Sequence, residues 1–315
     1  MNIALDMMGG DFAPLEAVKG IVLFLDEVSE GISLTLIGDE TMVKDLMASH
    51  GISSANITVV HASQVIEMHE HPTKAFREKQ QSSISIGFNL LASGKTDAFI
   101  SAGNTGAMMV GAFFSIKAIE GVSRPTIGAY MPRENGTLGL LLDAGINSDC
   151  KPENLSQFAT LGSLYAEHIL GFKNPKVGLL NIGEEEGKGN LLAQAAYPLL
   201  KENKNINFIG NIEGRDILMD KADVIVCEGF TGNVVLKMAE SVYDLVKRRG
   251  VHDEHFERFN FEIYGGVPVL GVAKPVIIGH GISHAIAFKN MILIAKKMIE
   301  KELMQKITDI FKAQA

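Results

Sequence analysis

Thr96–Ile116 reads TDAFISAGNTGAMMVGAFFSI, and the way this stretch divides decides the fold. No charged residue stands between Asp97 and Lys117, a span close to what crosses a bilayer as a helix. A membrane helix would have to bury Ser101, Asn104, Thr105 and several glycines in lipid, which is costly. Divided at Ser101, the same residues make better sense. TDAFIS is a short apolar strand. AGNTG is a turn, since glycine opens backbone conformations closed to other residues. AMMVGAFFSIKAI is a helix, with Asn104 or Thr105 placed to cap it. The free N–H groups at such a helix start favour an anion, although a plain turn that binds nothing reads equally well from this motif alone.

The same rhythm runs outward in both directions. NIALD is a strand, MMGGDFAP a glycine-rich loop with Pro14 in a first helical turn, and Leu15–Ser29 (LEAVKGIVLFLDEVS) a helix by its apolar spacing. SLTLIGD and ITVVHAS are strands flanking the helix ETMVKDLMASH. TIGAYMP and TLGLLLDAG are strands, and Pro152 opens the helix PENLSQFATLGSLYAEHIL. KVGLLN, NFIGNIEG and ADVIV are strands, with helices at LLAQAAYPLLKEN and Val234–Arg248. VPVLG, KPVIIG and a helical stretch from about His284 complete the pattern. Strands alternating with helices predict an α/β fold whose largely parallel sheet is covered on both faces.

Composition excludes several functions. The 315 residues are 46% hydrophobic and 21% charged, with a net charge of −8. This argues against general nucleic-acid binding, which needs a dense basic face, but a few local donors still suffice for a phosphate. Cys150 and Cys227 lie far apart without metal-ligand spacing and are expected as reduced thiols of a cytoplasmic protein. The N-terminus MNIALDMMGG shows no secretory signal. HEHP (His69, His71) lacks a further ligand at helical spacing and reads as a solvated loop, so no metal is expected.

In open α/β sheets, ligands gather beyond the C-terminal ends of strands. Seven loops at such positions share glycine and small polar residues: MGGD (Met8–Asp11), SAGNTG (Ser101–Gly106), DAGIN (Asp143–Asn147), NIGEEEGKGN (Asn181–Asn190), EGFTGN (Glu228–Asn233), YGG (Tyr264–Gly266) and GHGIS (Gly279–Ser283). Together they predict a crevice lined by backbone donors, suited to a phosphate or a phosphopantetheine arm. There is no Walker loop, no dinucleotide fingerprint in context and no G-x-S-x-G elbow.

These loops, with RPTIGAYMP, LLDAGIN, FIGNIEGRDI and DVIVCEGFTGNVVLK, resemble the acyl-ACP:phosphate acyltransferases, the PlsX family, in order and over nearly the whole chain. The resemblance implies a single phosphate acyltransferase domain over residues 1–315. Its fold would be like isocitrate/isopropylmalate dehydrogenase and phosphotransacetylase, a three-layer arrangement of two intertwined α/β subdomains around a cleft. It further implies reversible transfer of a long fatty acyl group from acyl carrier protein to inorganic phosphate, with no cofactor. The acyl phosphate would pass to a membrane glycerol-3-phosphate acyltransferase. The protein is then expected to be a homodimer in the cytoplasm, at most peripheral at the inner membrane face. A phosphate acetyltransferase-like enzyme using acyl-CoA, a dehydrogenase of the related fold and a non-catalytic acyl-ACP-binding protein are the alternatives. The dehydrogenase would want an Asp cluster, which is not seen.

The candidate catalytic residues are Lys188 and Asn233. Lys188 lies between Gly187 and Gly189, and Glu184–Glu186 nearby would keep it protonated; alternatively it is a surface lysine paired with those glutamates. The candidate phosphate- and substrate-binding residues are Asp6, Gly9, Gly10, Ser101, Gly103, Asn104, Thr105, Gly106, Arg124, Asp143, Asn147, Asn190 and His280. Lys247, Arg248 and Arg249 are candidates for docking the acidic carrier protein, or else simply suit a helix end. The sequence departs from the family pattern at Ile146, where a small residue is usual, and at His284, where Asp or Asn is usual. Between Lys237 and Tyr264 it is shorter and more charged than a membrane-touching hairpin, implying weaker or purely electrostatic membrane contact.

Overall fold

The computed structural model describes residues 1–27, 31–53 and 55–314. Val28 and Ser29, the last two residues of the helix expected from Leu15, lie outside the described residues, as does Ala315. In chain order the strands are β1 (Asn2–Asp6), β2 (Ser33–Gly38), β3 (Ile57–His61), β4 (Ala98–Ser101), β5 (Thr126–Pro132), β6 (Leu138–Leu142), β7 (Lys176–Asn181), β8 (Asn207–Glu213), β9 (Val224–Val226), β10 (Gly266–Leu270) and β11 (Val276–Gly279). The helices are α1 (Leu15–Glu27), α2 (Glu40–Ser49), α3 (Pro72–Glu78), α4 (Ser83–Ala92), α5 (Thr105–Gly111), α6 (Pro152–Tyr165), α7 (Leu191–Glu202), α8 (Gly229–Arg248), α9 (Glu254–Glu257), α10 (Ala285–Glu300) and α11 (Leu303–Gln314).

The chain forms two units, each assembled from two separated segments: Met1–Ala118 with Phe261–Met304, and Ile119–Asn260 with Gln305–Ala315. In the first unit the strand order is β3-β2-β1-β4-β11-β10. All neighbours there are parallel except β10, which runs antiparallel to β11. β1 and β4 read as continuous apolar runs because strands in a covered parallel sheet are buried on both faces; Ile3, Leu5, Phe99 and Ile100 are all fully buried. After β1 the chain builds β2 and β3 on one side, then places β4 on the other. The C-terminal ends of β1 and β4 therefore flank a topological switch point, where open α/β sheets hold ligands.

The second unit has the order β5-β6-β9-β7-β8. β5 and β6 form an antiparallel hairpin, and the other neighbours are parallel. Arg133, just after β5, is buried, with its guanidinium 2.8 Å from Asp223 and 3.2 Å from Asp220. A charge so far from water persists only when paired.

Thr96–Ile116 divides as expected into β4, a loop and α5. Asn104 caps α5, its side-chain oxygen accepting Ala107 N–H at 2.9 Å. The helix ends sooner than expected: a wider π-helical turn over Ala112–Ile116 stops at Lys117, whose φ is 68°. Two helices, α3 and α4, were not expected; His69 and His71 are exposed and lie outside them, His71 just before α3 begins at Pro72. EGFTGN was expected as a loop, but α8 begins at Gly229 with Glu228 as its N-cap. Glycine is needed there because a Cβ on Gly229 would lie 2.8 Å from Asn147 N, and one on Gly232 would strike the Asp143 carbonyl. The C-terminal helical stretch breaks after Glu300. Among the described residues, no helix is long and apolar enough to cross a membrane.

Candidate active site

In the first unit the loops MGGD, SAGNTG, YGG and GHGIS sit at one edge of the strands. Asp6 ends β1 and Ser101 ends β4, and both are almost wholly buried, at 1% and 0% exposure. Ser101 Oγ donates to Asp6 Oδ2 at 2.7 Å and accepts Gly103 N–H at 2.9 Å. Asp6 Oδ1 accepts Met8 N–H at 2.9 Å. Burial raises the Asp6 carboxyl above the ordinary carboxylate range, partly offset by these donors. Asn104 is buried too, and its amide donates to the carbonyls of Glu67, Met68 and Glu70 at 3.0–3.2 Å. Asp11 N–H bonds Gly281 O at 2.7 Å, joining MGGD to GHGIS.

The predicted ligands of this unit therefore separate into two kinds. Asp6, Ser101 and Asn104 hold the loops in shape, and Gly9 and Gly103 are buried beside them. Thr105 and His280 face solvent, and Gly10 and Gly106 are partly exposed. His280 lies against the Phe261 ring, with centroids 4.8 Å apart.

The second unit repeats the device. Asp143 follows β6 and is fully buried; its carboxylate accepts Gly145, Ile146 and Asn147 N–H at 2.8–3.0 Å. Gly145 has φ 132°, which its place in this tight loop requires. The Asn147 amide donates to Asp143 Oδ2 at 2.5 Å and to Pro125 O at 2.9 Å, so Asn147 is also a loop-shaping residue. Its carbonyl accepts Gly229 N–H at 2.7 Å, fastening DAGIN to the start of α8. Exposed Asn233 lies over Gly145, with its amide 3.4 Å from Ala144 O. Arg124 is exposed and donates to Asp149 O at 2.7 Å.

Lys188 is exposed, and the neighbouring glutamates do not hold it. Glu184 pairs with Lys221 at 2.6 Å and Glu186 with Lys201 at 3.0 Å. The Lys188 stem lies over Gly183, and its carbonyl accepts the Asn181 amide at 3.1 Å. Among the described residues its ammonium has no carboxylate within salt-bridge distance. Asn190 is the N-cap of α7, its side chain accepting Ala193 N–H at 2.8 Å.

A cavity of about 680 Å³ opens in this unit where loop 148–150 meets the starts of α7 and α8. It takes in Asn190 from the predicted set, together with Cys150, Leu191, Glu228 and Phe230, which the sequence reading did not select. Glu228 caps α8 by accepting Thr231 N–H at 2.9 Å and its hydroxyl, a role without a sequence signal because glutamate is not among the favoured N-cap residues. For Leu191 and Phe230 no signal existed, since isolated apolar residues are common in any helix.

Both cysteines are free. Burial, with the Asp143 carboxylate second, pushes the Cys150 thiol up to about 11, and burial raises Cys227 as well. Neither is a thiolate near neutral pH, so neither is primed as a nucleophile. Lys247 and Arg248 lie in the last turn of α8 and Arg249 caps it, all three exposed.

Comparison with known proteins agrees with this architecture. The sequence profile of a family described as "Fatty acid synthesis protein" matches residues 1–254. The phosphate acyltransferase of Dictyoglomus turgidum is 44% identical over 328 aligned positions, covering 98% of this chain and 97% of the relative. That of Halothermothrix orenii is 44% identical over 323, covering 96% of each. Among solved structures, a phosphotransacetylase from Streptococcus pyogenes superposes with TM-score 0.66 at 16% identity, covering 95% of this chain and 94% of that one. EutD phosphotransacetylase from Staphylococcus aureus gives 0.63 at 18%, covering 94% of each chain; at such identities the likeness concerns the fold. Identity above two fifths along nearly the full length of both sequences means that the chain belongs to the phosphate acyltransferase (PlsX) family and is an acyltransferase.

Proposed function

We propose that this chain moves a long fatty acyl group from acyl carrier protein to inorganic phosphate, releasing acyl phosphate and the free carrier thiol. The observation that carries this reading is Lys188: a cation on a glycine-flanked loop, without a carboxylate partner among the described residues, while Glu184 and Glu186 pair with Lys221 and Lys201. The absence of a primed cysteine among the described residues fits a reaction whose nucleophile is the phosphate itself.

In the proposed step a phosphate oxygen attacks the thioester carbonyl carbon. A C–O bond forms, negative charge develops on the carbonyl oxygen, and collapse breaks the C–S bond to expel a thiolate. The thiolate is a good leaving group, so no strong general acid is needed, and no covalent enzyme intermediate forms. Lys188 serves as a compact positive charge for the phosphate or the developing oxyanion. Asn233 contributes amide donors over the Asp143–Asn147 loop. Preorganised donors and positioning supply most of the rate.

The product suits a membrane glycerol-3-phosphate acyltransferase, so we place the chain in the cytoplasm, at most peripheral at the inner membrane face, as a homodimer. Mass spectrometry of acyl-ACP incubated with phosphate tests the reaction directly. Acyl phosphate is expected from palmitoyl-ACP. Turnover of acetyl-CoA in its place, with none from palmitoyl-ACP, overturns the proposal.

A further inference from the structure

We infer that the acyl chain lies against Leu191 and Phe230, and that these two side chains set which chain lengths the protein prefers. The inference rests on the proposed reaction and gives its apolar half a place. The second unit's cavity, about 680 Å³, lies in the size range of small-molecule sites. Its wall carries two large apolar side chains that the fold does not use: Leu191 is 86% exposed and Phe230 66%. Each stands in the first turn of its helix, just after or near the capping residue, where small polar or acidic residues are favoured. One exposed leucine or phenylalanine needs no explanation. Two lining one cavity, with Leu192 and the protonated Cys150 thiol beside them, form an apolar surface that no other described residue covers.

The charges of the cavity decide what occupies it. Asp149 and Glu228 are among its lining residues and no basic residue is, while the neighbouring Arg124 is engaged with the Asp149 carbonyl at 2.7 Å. A phosphate placed there meets like charge; an uncharged hydrocarbon does not. Hydrocarbon burial is also the larger gain available, since each methylene removed from water is worth roughly fourfold in affinity. The cavity therefore takes the fatty chain rather than the anion.

The test is a binding titration that needs no turnover. Stable phosphonate analogues of acetyl, octanoyl and dodecanoyl phosphate are titrated by calorimetry into the native chain, the Leu191→Ser/Phe230→Ala double variant and the Leu191→Met/Phe230→Leu double variant. For the native chain, affinity should climb with chain length. The polar/alanine variant should lose on the order of tenfold or more for the octanoyl analogue and less for the acetyl one, and the apolar pair should restore most of the climb. Parallel chain-length dependence in all three proteins overturns the inference, as does a native chain that binds the longer analogues no better than the short one. If the climb is lost as expected while palmitoyl-ACP yields no acyl phosphate, the reaction falls and the apolar site stands. The converse pair of results removes the site alone.

Discussion

The hydroxyl of Ser101 donates to Asp6 Oδ2 at 2.7 Å while accepting the Gly103 amide at 2.9 Å, so two residues 95 positions apart fix the loop after β4. Asp6→Asn should lower stability by about 1–2 kcal/mol, because an amide cannot serve all of these donors. The loss should depend on pH. Burial raises the folded Asp6 carboxyl above its ordinary 3.8. A raised carboxyl adds stability below its unfolded value and loses it as pH climbs through the folded value. The native lead over Asp6→Asn, measured by urea unfolding, should therefore be largest below pH 3.8 and shrink toward neutrality. A lead that grows with pH contradicts this placement of Asp6.

The loop Ser101–Gly106 is a candidate phosphate contact, and bulky residues at its glycines are poor probes of it. A Cβ on Gly103 would lie 3.1 Å from Ser101 Oγ and 3.3 Å from Asp6 Oδ2, and one on Gly106 would strike Pro72. Thr105 is exposed and leaves that scaffold alone. Thr105→Val should raise the phosphate KM several-fold with the melting temperature unchanged. An unchanged KM in a normally folded variant removes phosphate from this loop.

Lys188→Ala should cut kcat/KM on the order of 10²-fold or more, comparable with losing an oxyanion donor. Lys188→Arg should recover only part, since a planar fork replaces a compact head. Circular dichroism should match the native chain, because Lys188 has no ion pair among the described residues. A loss below about tenfold takes Lys188 out of the mechanism.

Reversing Lys247, Arg248 and Arg249 should slow turnover of acyl-ACP more than of acyl-CoA, with the gap closing at high salt as exposed charges are screened. Steady-state rates with both donors across ionic strength are the measurement. Equal slowing of both donors returns the three cations to the role of complementing the helix C-terminus.

The outer face of α8 exposes Val234, Met238, Val242 and Leu245, spaced as one stripe, with Met238 at 64% exposure. If the proposed homodimer uses this stripe, Met238→Glu should lower the mass seen in sedimentation from two chains to one. A dimer of undiminished strength in that variant places the subunit contact elsewhere.

The alternation of strands and helices was legible because parallel strands buried on both faces leave unbroken apolar runs such as AFIS and LGLLL. The start of α8 was not. Gly229 and Gly232 look like loop residues until the chain of the 143–147 loop is seen pressing on them. The site was legible as a set of loops but not as a set of roles. Asp6, Asn104 and Asn147 have the chemistry of ligands, and only burial and hydrogen bonds turn them into loop supports. Pairing of Lys188 with Glu184–Glu186 stayed open in the sequence because Lys201 and Lys221, which take Glu186 and Glu184, sit well downstream in the chain.

The division of each unit into two segments bears on how the chain is made. β4 is complete at Ser101, yet the strand that lies beside it, β11, begins only at Val276. While the ribosome adds everything between, the first unit exposes a bare strand edge, the kind of surface that pairs with whatever strand it meets. The second unit, likewise, needs Gln305–Ala315. Neither unit can finish folding until its second segment has been made. Protection of the nascent chain from stray strand pairing is thus a demand written into the strand order itself.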